Sequence, residues 1–321
     1  MAGGQAESTR TVWVAIVANA AIAVVKAFAG VLGGSSALVA EAAHSVADTS
    51  NQGLLMLSLR RSERPPDEEH PFGYGQERFF WVLLAAVFIF VAGGIFGILE
   101  GLYRIVRGGG GESGYAWSYG ALGFAALAEG TSWVRAFRQT RAEAREAGLG
   151  LVRYIRESKE PAVKTVVSED SAALVGIVLA FGGVALEQAT GNAAWDGGAA
   201  VAIGVLLCVV GVLLARDTKG LLIGESPRRE ERERLKETIL RHEEVEDVQE
   251  LLTMYLGPQN LLVAARLDLG DDVPAGEVEE LSSQIELELR EAMPDVTQVF
   301  LDATPGRSAR RRPVAAREKR E

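Results

Sequence analysis

Cysteine is nearly missing from this chain of 321 residues: Cys208, inside an apolar run, is the only one. It supports no disulfide framework and no zinc ribbon or finger, and it reads as a small buried hydrophobe. An excess of positive charge is missing too. Lys and Arg number 33 against 43 Asp and Glu, a formal net charge of −10, which argues against a nucleic-acid partner. No HExxH or comparable hydrolytic motif occurs, so an intramembrane metalloenzyme is disfavoured and no enzyme is expected. A secretory leader is not expected either. The first apolar segment is too long for a signal-peptide core, and several more follow it.

Apolar and charged residues are both plentiful, at 48% and 24%, and the mean hydropathy is +0.12. These values fit together only if the two kinds are segregated along the chain. Apolar runs long enough to cross a bilayer, roughly 20 residues each, recur between Trp13 and Leu214, and after Leu222 the sequence turns charged. The expected spans are 12–32, 36–59, 79–103, 115–137, 162–187 and 194–215. Lys and Arg concentrate in the second and fourth connections and beside the last span, with Arg104 and Arg107 dissenting. The positive-inside rule then puts both termini in the cytoplasm. With no transit segment before the first span, a bacterial inner membrane is the expected location.

The expected fold is a membrane all-α six-helix bundle over residues 1–220, followed by a small α/β ferredoxin-like cytoplasmic domain over 221–304. The latter reads α-β-β-α-β: "PRREERERLKETILRHEEV" has helical apolar spacing, and "VEDVQELLTMYLG" and "QNLLVAARLDL" are strands about a turn. "PAGEVEELSSQIELELREAM" is a second amphipathic helix and "DVTQVFLDA" a closing strand. Residues 305–321 read as a disordered basic tail.

The stretch "VAEAAHSVADTSNQG" places Glu41, His44, Asp48, Asn51 and Gln52 inside the second apolar segment. An ionisable group at the centre of a membrane helix costs roughly 2.5–3.5 kcal/mol even on insertion scales, so this concentration calls for a function. His44 and Asp48 are four apart and share one helical face, about 5–6 Å apart at Cβ. An imidazole and a carboxylate so placed suit a shared cation, and Zn2+ accepts both donor types. Two ligands from one helix leave two positions open. "TVVSEDSAALVG" in the fifth segment offers Glu169 and Asp170, which point about 100° apart around the helix. The competing reading is an ion pair or hydrogen bond that glues helices together. Lys26 is the only cation deep enough in a span to offset so much acid.

"EAAHSVADTSNQG", "HPFGYGQERFFW" and "EDSAALVG", followed by the acidic ferredoxin-like domain, resemble the cation diffusion facilitator family. The resemblance runs from Asn19 and Lys26 to about residue 304, in a branch similar to the mitochondrial zinc transporters of animals. It implies six membrane helices, a metallochaperone-like cytoplasmic domain, a homodimer, and export of divalent metal in exchange for protons. It implies His44 and Asp48 as second-helix ligands and Asp170 as an acidic ligand of the fifth. The position four before Asp170 is His or Asp in most of the family; here it is Val166, so the usual four-ligand set is incomplete. Glu169 is the first substitute, Glu41 and Asn51 follow, and a water can complete the shell.

Zn2+ is the expected cargo because a histidine with carboxylates suits it. Fe2+, Co2+ and Ni2+ would accept the same donors, while Mn2+ gains less from an imidazole. Metal and protons compete for these groups, which supplies a mechanism for exchange. His44 is the expected proton carrier, since an ordinary imidazole titrates nearest the working range. Glu129 in the fourth span is open between a proton path and packing, and Glu100 reads as a helix-end packing residue. His70, with Asp67, Glu68 and Glu69, reads as a solvated turn rather than a loop metal site. His242, beside Glu243 and Glu244, reads as a solvated helix end rather than a ligand. Gly93, Gly94, Gly97 and Gly101 recur at close-packing intervals. The alternative function is a membrane-anchored dimeric scaffold or metal sensor with a structural metal site.

Overall fold

The structure, a computed structural model, describes residues 2–108, 114–146, 148–157, 161–270 and 273–303, leaving out the side chains at 2–16, 18, 156, 157, 161–167 and 275. The Val166 side chain and the tail at 305–321 lie outside the described residues. The chain divides into two compact units, Met1–Arg64 with Glu77–Lys219, and Pro65–Gln76 with Gly220–Glu321.

The first unit is helical: α1 (Ala2–Gly33), α2 (Ser36–Ser62), α3 (Glu77–Phe88), a π-helical turn (Ile89–Ile95), α4 (Phe96–Arg107), α5 (Tyr115–Glu146), α6 (Leu151–Glu157), α7 (Pro161–Thr190) and α8 (Ala194–Leu222). Gly34 makes the reversal between α1 and α2 possible, since its φ of +69° is one that side-chain-bearing residues avoid. Ser35 then caps α2, its hydroxyl accepting from Leu38 N at 3.2 Å. At the other end Arg60 and Arg61 lie in the last turn, where positive charge complements the helix dipole.

Helix α2 is the hub, packing against α1, α3, the π turn, α4 and α7. The interior around it is rich in alanine: Ala37, Ala40, Ala47, Ala121, Ala125, Ala180 and Ala200 are all buried. Small residues allow helix backbones to approach closely. A Cβ placed on Gly204 of α8 would sit 2.6 Å from both Gly94 O of the π turn and Ile98 N of α4.

Three stretches, Glu77–Arg107, Ser168–Thr190 and Ala194–Leu222, are long and apolar enough to cross a membrane among the described residues, and Asn19–Gly33 is a shorter apolar helix. Fewer stretches therefore meet that standard than the six expected. Helices α2 and α5 have the length, 27 and 32 residues. Their apolarity is diluted by the Glu41–Asn51 stripe in one and the basic end of the other. The expected basic link after the fourth span is largely helical, taken up by the end of α5 and by α6.

The second unit holds α9 (Arg229–Ile239), β1 (Val245–Gly257), β2 (Asn260–Leu269), α10 (Ala275–Ala292) and β3 (Val296–Ala303), in the order α-β-β-α-β. Its sheet is small and mixed, with order β1-β2-β3. β1 and β2 are antiparallel, Leu251 opposite Ala265 and Gly257 opposite Asn260 across a two-residue turn. β3 runs parallel to β2, Val263 opposite Val299, because α10 supplies the crossover that parallel pairing needs. Leu261, Val263, Ala265 and Leu267 alternate into the core with the period of a half-buried strand. Leu235, Ile239, Ile285 and Leu289 of the two helices are buried with them. On the opposite face Arg266 pairs with Glu250 at 3.0 Å and Asp302 at 3.2 Å.

Candidate metal centre

The start of α2 is fixed by a residue from α8. Asp196 accepts from Ser35 Oγ at 2.6 Å, Ser36 N at 2.5 Å and Ala37 N at 3.2 Å. Its carboxylate thereby fills the acceptor role that the first turn of a helix lacks. Beside it Ser36 Oγ donates to Glu100 at 2.9 Å, and Arg104 pairs with the buried Glu187 at 2.9 Å. Glu100, read in the sequence as a helix-end packing residue, lies inside α4, half-buried and bonded to the start of α2.

With that end anchored, Glu41, His44, Ser45, Asp48 and Asn51 descend α2 as one polar stripe at spacings of three and four. Glu41, His44, Ser45 and Asn51 are buried, and the Asp48 side chain is 17% exposed. His44 Nδ1 lies 3.5 Å from Asp48 Oδ1. Both ring nitrogens of His44, Asp48 Oδ1 and Asn51 Oδ1 are buried with no hydrogen-bond partner among the described residues.

From α7, Glu169 is buried and accepts from Asn51 Nδ2 at 2.6 and 2.5 Å, one distance to each oxygen. Asp170, half-buried, accepts from Ser132 Oγ of α5 at 3.4 Å. The next residue, Ser171, accepts from Trp133 Nε1 at 3.1 Å. A cavity of about 110 Å³ collects Asp48, Asn51, Glu129, Glu169 and Asp170, with Ser45, Gln52, Ser132 and Asn19 among the other polar groups on its wall.

Of the residues singled out in the sequence, Asp48, Asn51, Glu169 and Asp170 therefore meet at one cavity. His44 reaches it through Asp48, and Glu41 is turned aside to Lys26 at 3.0 Å. Among the described residues no three His, Cys, Asp or Glu side chains converge closely enough to hold an ion. Glu129 belongs to the cavity wall, which its position in the fourth span left open. Asp196 escaped sequence reasoning, and its one signal was an acid in the polar break "GNAAWDGG".

The remaining polar residues lie elsewhere. Asp67 accepts from Tyr74 OH at 2.6 Å and His70 N at 2.7 Å. The Tyr74 hydroxyl first, and then the backbone, hold its carboxyl below the usual range. His70 sits 3.7 Å from the same carboxylate and is exposed, as a solvated turn requires. His242 differs from the solvated helix end expected. Its side chain is only 11% exposed and lies 3.5 Å from Glu288 of α10, because the second helix packs over the end of the first. Cys208 is half-buried, with Sγ 3.9 Å from Phe90 O.

A model of the cation efflux transmembrane domain matches residues 12–223, and one of the cation efflux protein cytoplasmic domain matches residues 227–305. The chain is similar to the human mitochondrial proton-coupled zinc antiporter SLC30A9, 30% identical over 81% of this chain and 45% of that protein. It thus matches less than half the length of that relative. It is 29% identical to metal tolerance protein C4 of Arabidopsis thaliana over 73% of this chain and 51% of that protein. It is 25% identical to the manganese efflux system protein MneP of Bacillus subtilis over 93% of this chain and 96% of that protein.

Proposed function

The chain belongs to the cation efflux family, and from that premise we propose that it is a proton-coupled antiporter exporting Zn2+ through a site shared by α2 and α7. The observation that carries this reading is the set of buried, unpartnered polar atoms on His44, Asp48 and Asn51. Each such atom costs about 1–3 kcal/mol if left dry, and a cation beside Asp48, Asn51, Glu169 and Asp170 offsets that cost. His44, Asp48 and Asp170 are the proposed ligands, with Glu169 in place of the donor that Val166 cannot supply. Glu41 and Asn51 are the reserve positions.

The imidazole favours Zn2+ over harder ions, and the zinc and proton coupling in the name of the human relative supports the same choice. Manganese, in the name of the Bacillus relative, is the principal competitor, with Fe2+, Co2+ and Ni2+ chemically admissible. Transport follows from competition for shared groups. Deprotonated ligands take up the cation on the cytoplasmic side, and protons displace it on the other. Six crossings, formed by α1, α2, α3–α4, α5, α7 and α8, would put both termini in the cytoplasm. A bacterial inner membrane is the proposed location. The division at residues 220 and 304, a homodimer through the second unit, and the absence of chemical turnover complete the reading.

The test is zinc flux in proteoliposomes under an imposed pH gradient. Wild type should move zinc against protons, and Asp48→Ala and Asp170→Ala should each lower flux by about 100-fold or more, as expected when a metal ligand is lost. A folded, zinc-binding wild type that carries no flux would instead support the scaffold reading. Flux surviving in Asp170→Ala would move its role to Glu169 or Glu41.

A further inference from the structure

The cavity wall contains one carboxylate that is already engaged. Glu129 of α5 lines the cavity with Asp48, Glu169 and Asp170, yet its Oε1 accepts from Lys26 Nζ at 2.5 Å. Lys26, on α1, is fully buried. Its other contacts are Glu41 Oε2 at 3.0 Å and Ser45 Oγ at 2.9 Å, both on α2. An ammonium has three donors and no acceptor, so these three acceptors use all of them.

The arrangement leaves Lys26 no freedom to swing away, since a buried charge without partners is costly. It also divides the acids around the cavity and Lys26 into two groups. Glu41 and Glu129 belong to the ammonium, while Asp48, Glu169 and Asp170 face the cavity with no cation within bonding distance among the described residues. Glu129 alone touches both groups. Its second oxygen, Oε2, is buried and has no hydrogen-bond partner among the described residues.

Resting on the antiporter reading above, we infer that Lys26 is a selectivity residue: by holding Glu129, it withholds a fourth carboxylate from the transported cation and so disfavours oxygen-seeking ions. The number of oxygens decides which ion a site prefers. Zn2+ is content with four donors of mixed nitrogen and oxygen type. Mn2+ and its harder neighbours favour six or more oxygens. With Lys26 in place the donors open to a cation entering the cavity are the carboxylates of Asp48, Glu169 and Asp170, with the His44 imidazole beside Asp48. With Glu129 released it would meet a fourth carboxylate and one more negative charge. Lys26 touches no cargo in this scheme and is a positioning residue acting through Glu129.

The test uses the full chain in proteoliposomes, with Mn2+ as competitor of Zn2+ uptake and both ions also titrated onto protein in detergent. Lys26→Met with Glu41→Gln removes the ammonium without stranding Glu41 and frees Glu129. Mn2+ should then compete at about tenfold lower concentration, the scale on which ligand charge tunes affinity. Adding Glu129→Gln should abolish that gain. Lys26→Gln, which keeps two of the three donors and needs no second change, should shift the ratio in the same direction by less. If the Mn2+-to-Zn2+ ratio stays fixed while both ions weaken together, Lys26 is helix glue and the inference is overturned. A gain that survives Glu129→Gln overturns it equally. An inert wild type overturns the transport reading and this inference with it, whereas active wild type with an unmoved ratio overturns this inference alone.

Discussion

Removing the Asp196 carboxylate would leave the Ser36 and Ala37 N–H groups at the buried start of α2 without an acceptor. Each buried donor so stranded costs about 1–3 kcal/mol, so Asp196→Ala should destabilise the protein by about 3 kcal/mol. Asp196→Asn, which keeps an accepting oxygen, should lose about half as much. Thermal unfolding in detergent reads the difference, and equal melting points for wild type and Asp196→Ala would remove the anchor from the account. At this scale the sequence was legible where partners are near neighbours. His44 and Asp48 announce themselves by spacing, and Asn51 continues their stripe. Glu41 looks like part of the same set, but its partner Lys26 is 15 residues away across a turn. No local pattern carries that pairing. Nor does any local pattern link Asp196 to Ser35, 161 residues apart.

The stretches at Glu77–Arg107, Ser168–Thr190 and Ala194–Leu222 were readable because a membrane helix must be long and uniformly apolar, and the strands of the second unit because β2 alternates. The π-helical turn at Ile89–Ile95 was not. Its residues, "IFVAGGI", are as apolar as their flanks, and the wider turn shows only in how the backbone bonds. Its glycines were legible as a close-packing series, and α8 is the surface they meet. A Cβ on Gly94 would lie 2.5 Å from Cys208 Sγ, and one on Gly101 would lie 2.7 Å from Val201 N and closer still to Gly197 O. Gly101→Ala therefore forces two backbones apart and should lower stability by about 1–3 kcal/mol. Gly123→Ala, on an exposed face of α5 with nothing within 4 Å of the new Cβ, should raise it by about 0.5–1 kcal/mol. Melting points of the two variants check both signs, and a shift of the same sign in both would discard the packing argument.

At the scale of the whole molecule, the family's cytoplasmic domain spans residues 227–305, and assembly into a dimer is expected to reside there. Light scattering on the full chain in detergent should give twice the 34.3 kDa of one protomer, and a monomeric mass at working concentration would sink the dimer. The second unit is also more than its C-terminal run. Pro65–Gln76, which joins α2 to α3, belongs to it. Gly75 lies so close to Leu256 O that no side chain fits between, and Phe72 meets Phe300 edge-on at 6.4 Å. A transplant of residues 220–303 from a relative would arrive without the short loop that completes it, and the host's own loop would meet an unfamiliar β1. A chimera exchanging both segments should therefore melt higher than one exchanging the C-terminal segment alone, and equal melting would make the loop a passenger. If the loop is part of the unit, the smallest inheritable piece of the second unit is two stretches of gene separated by the whole of α3 to α8.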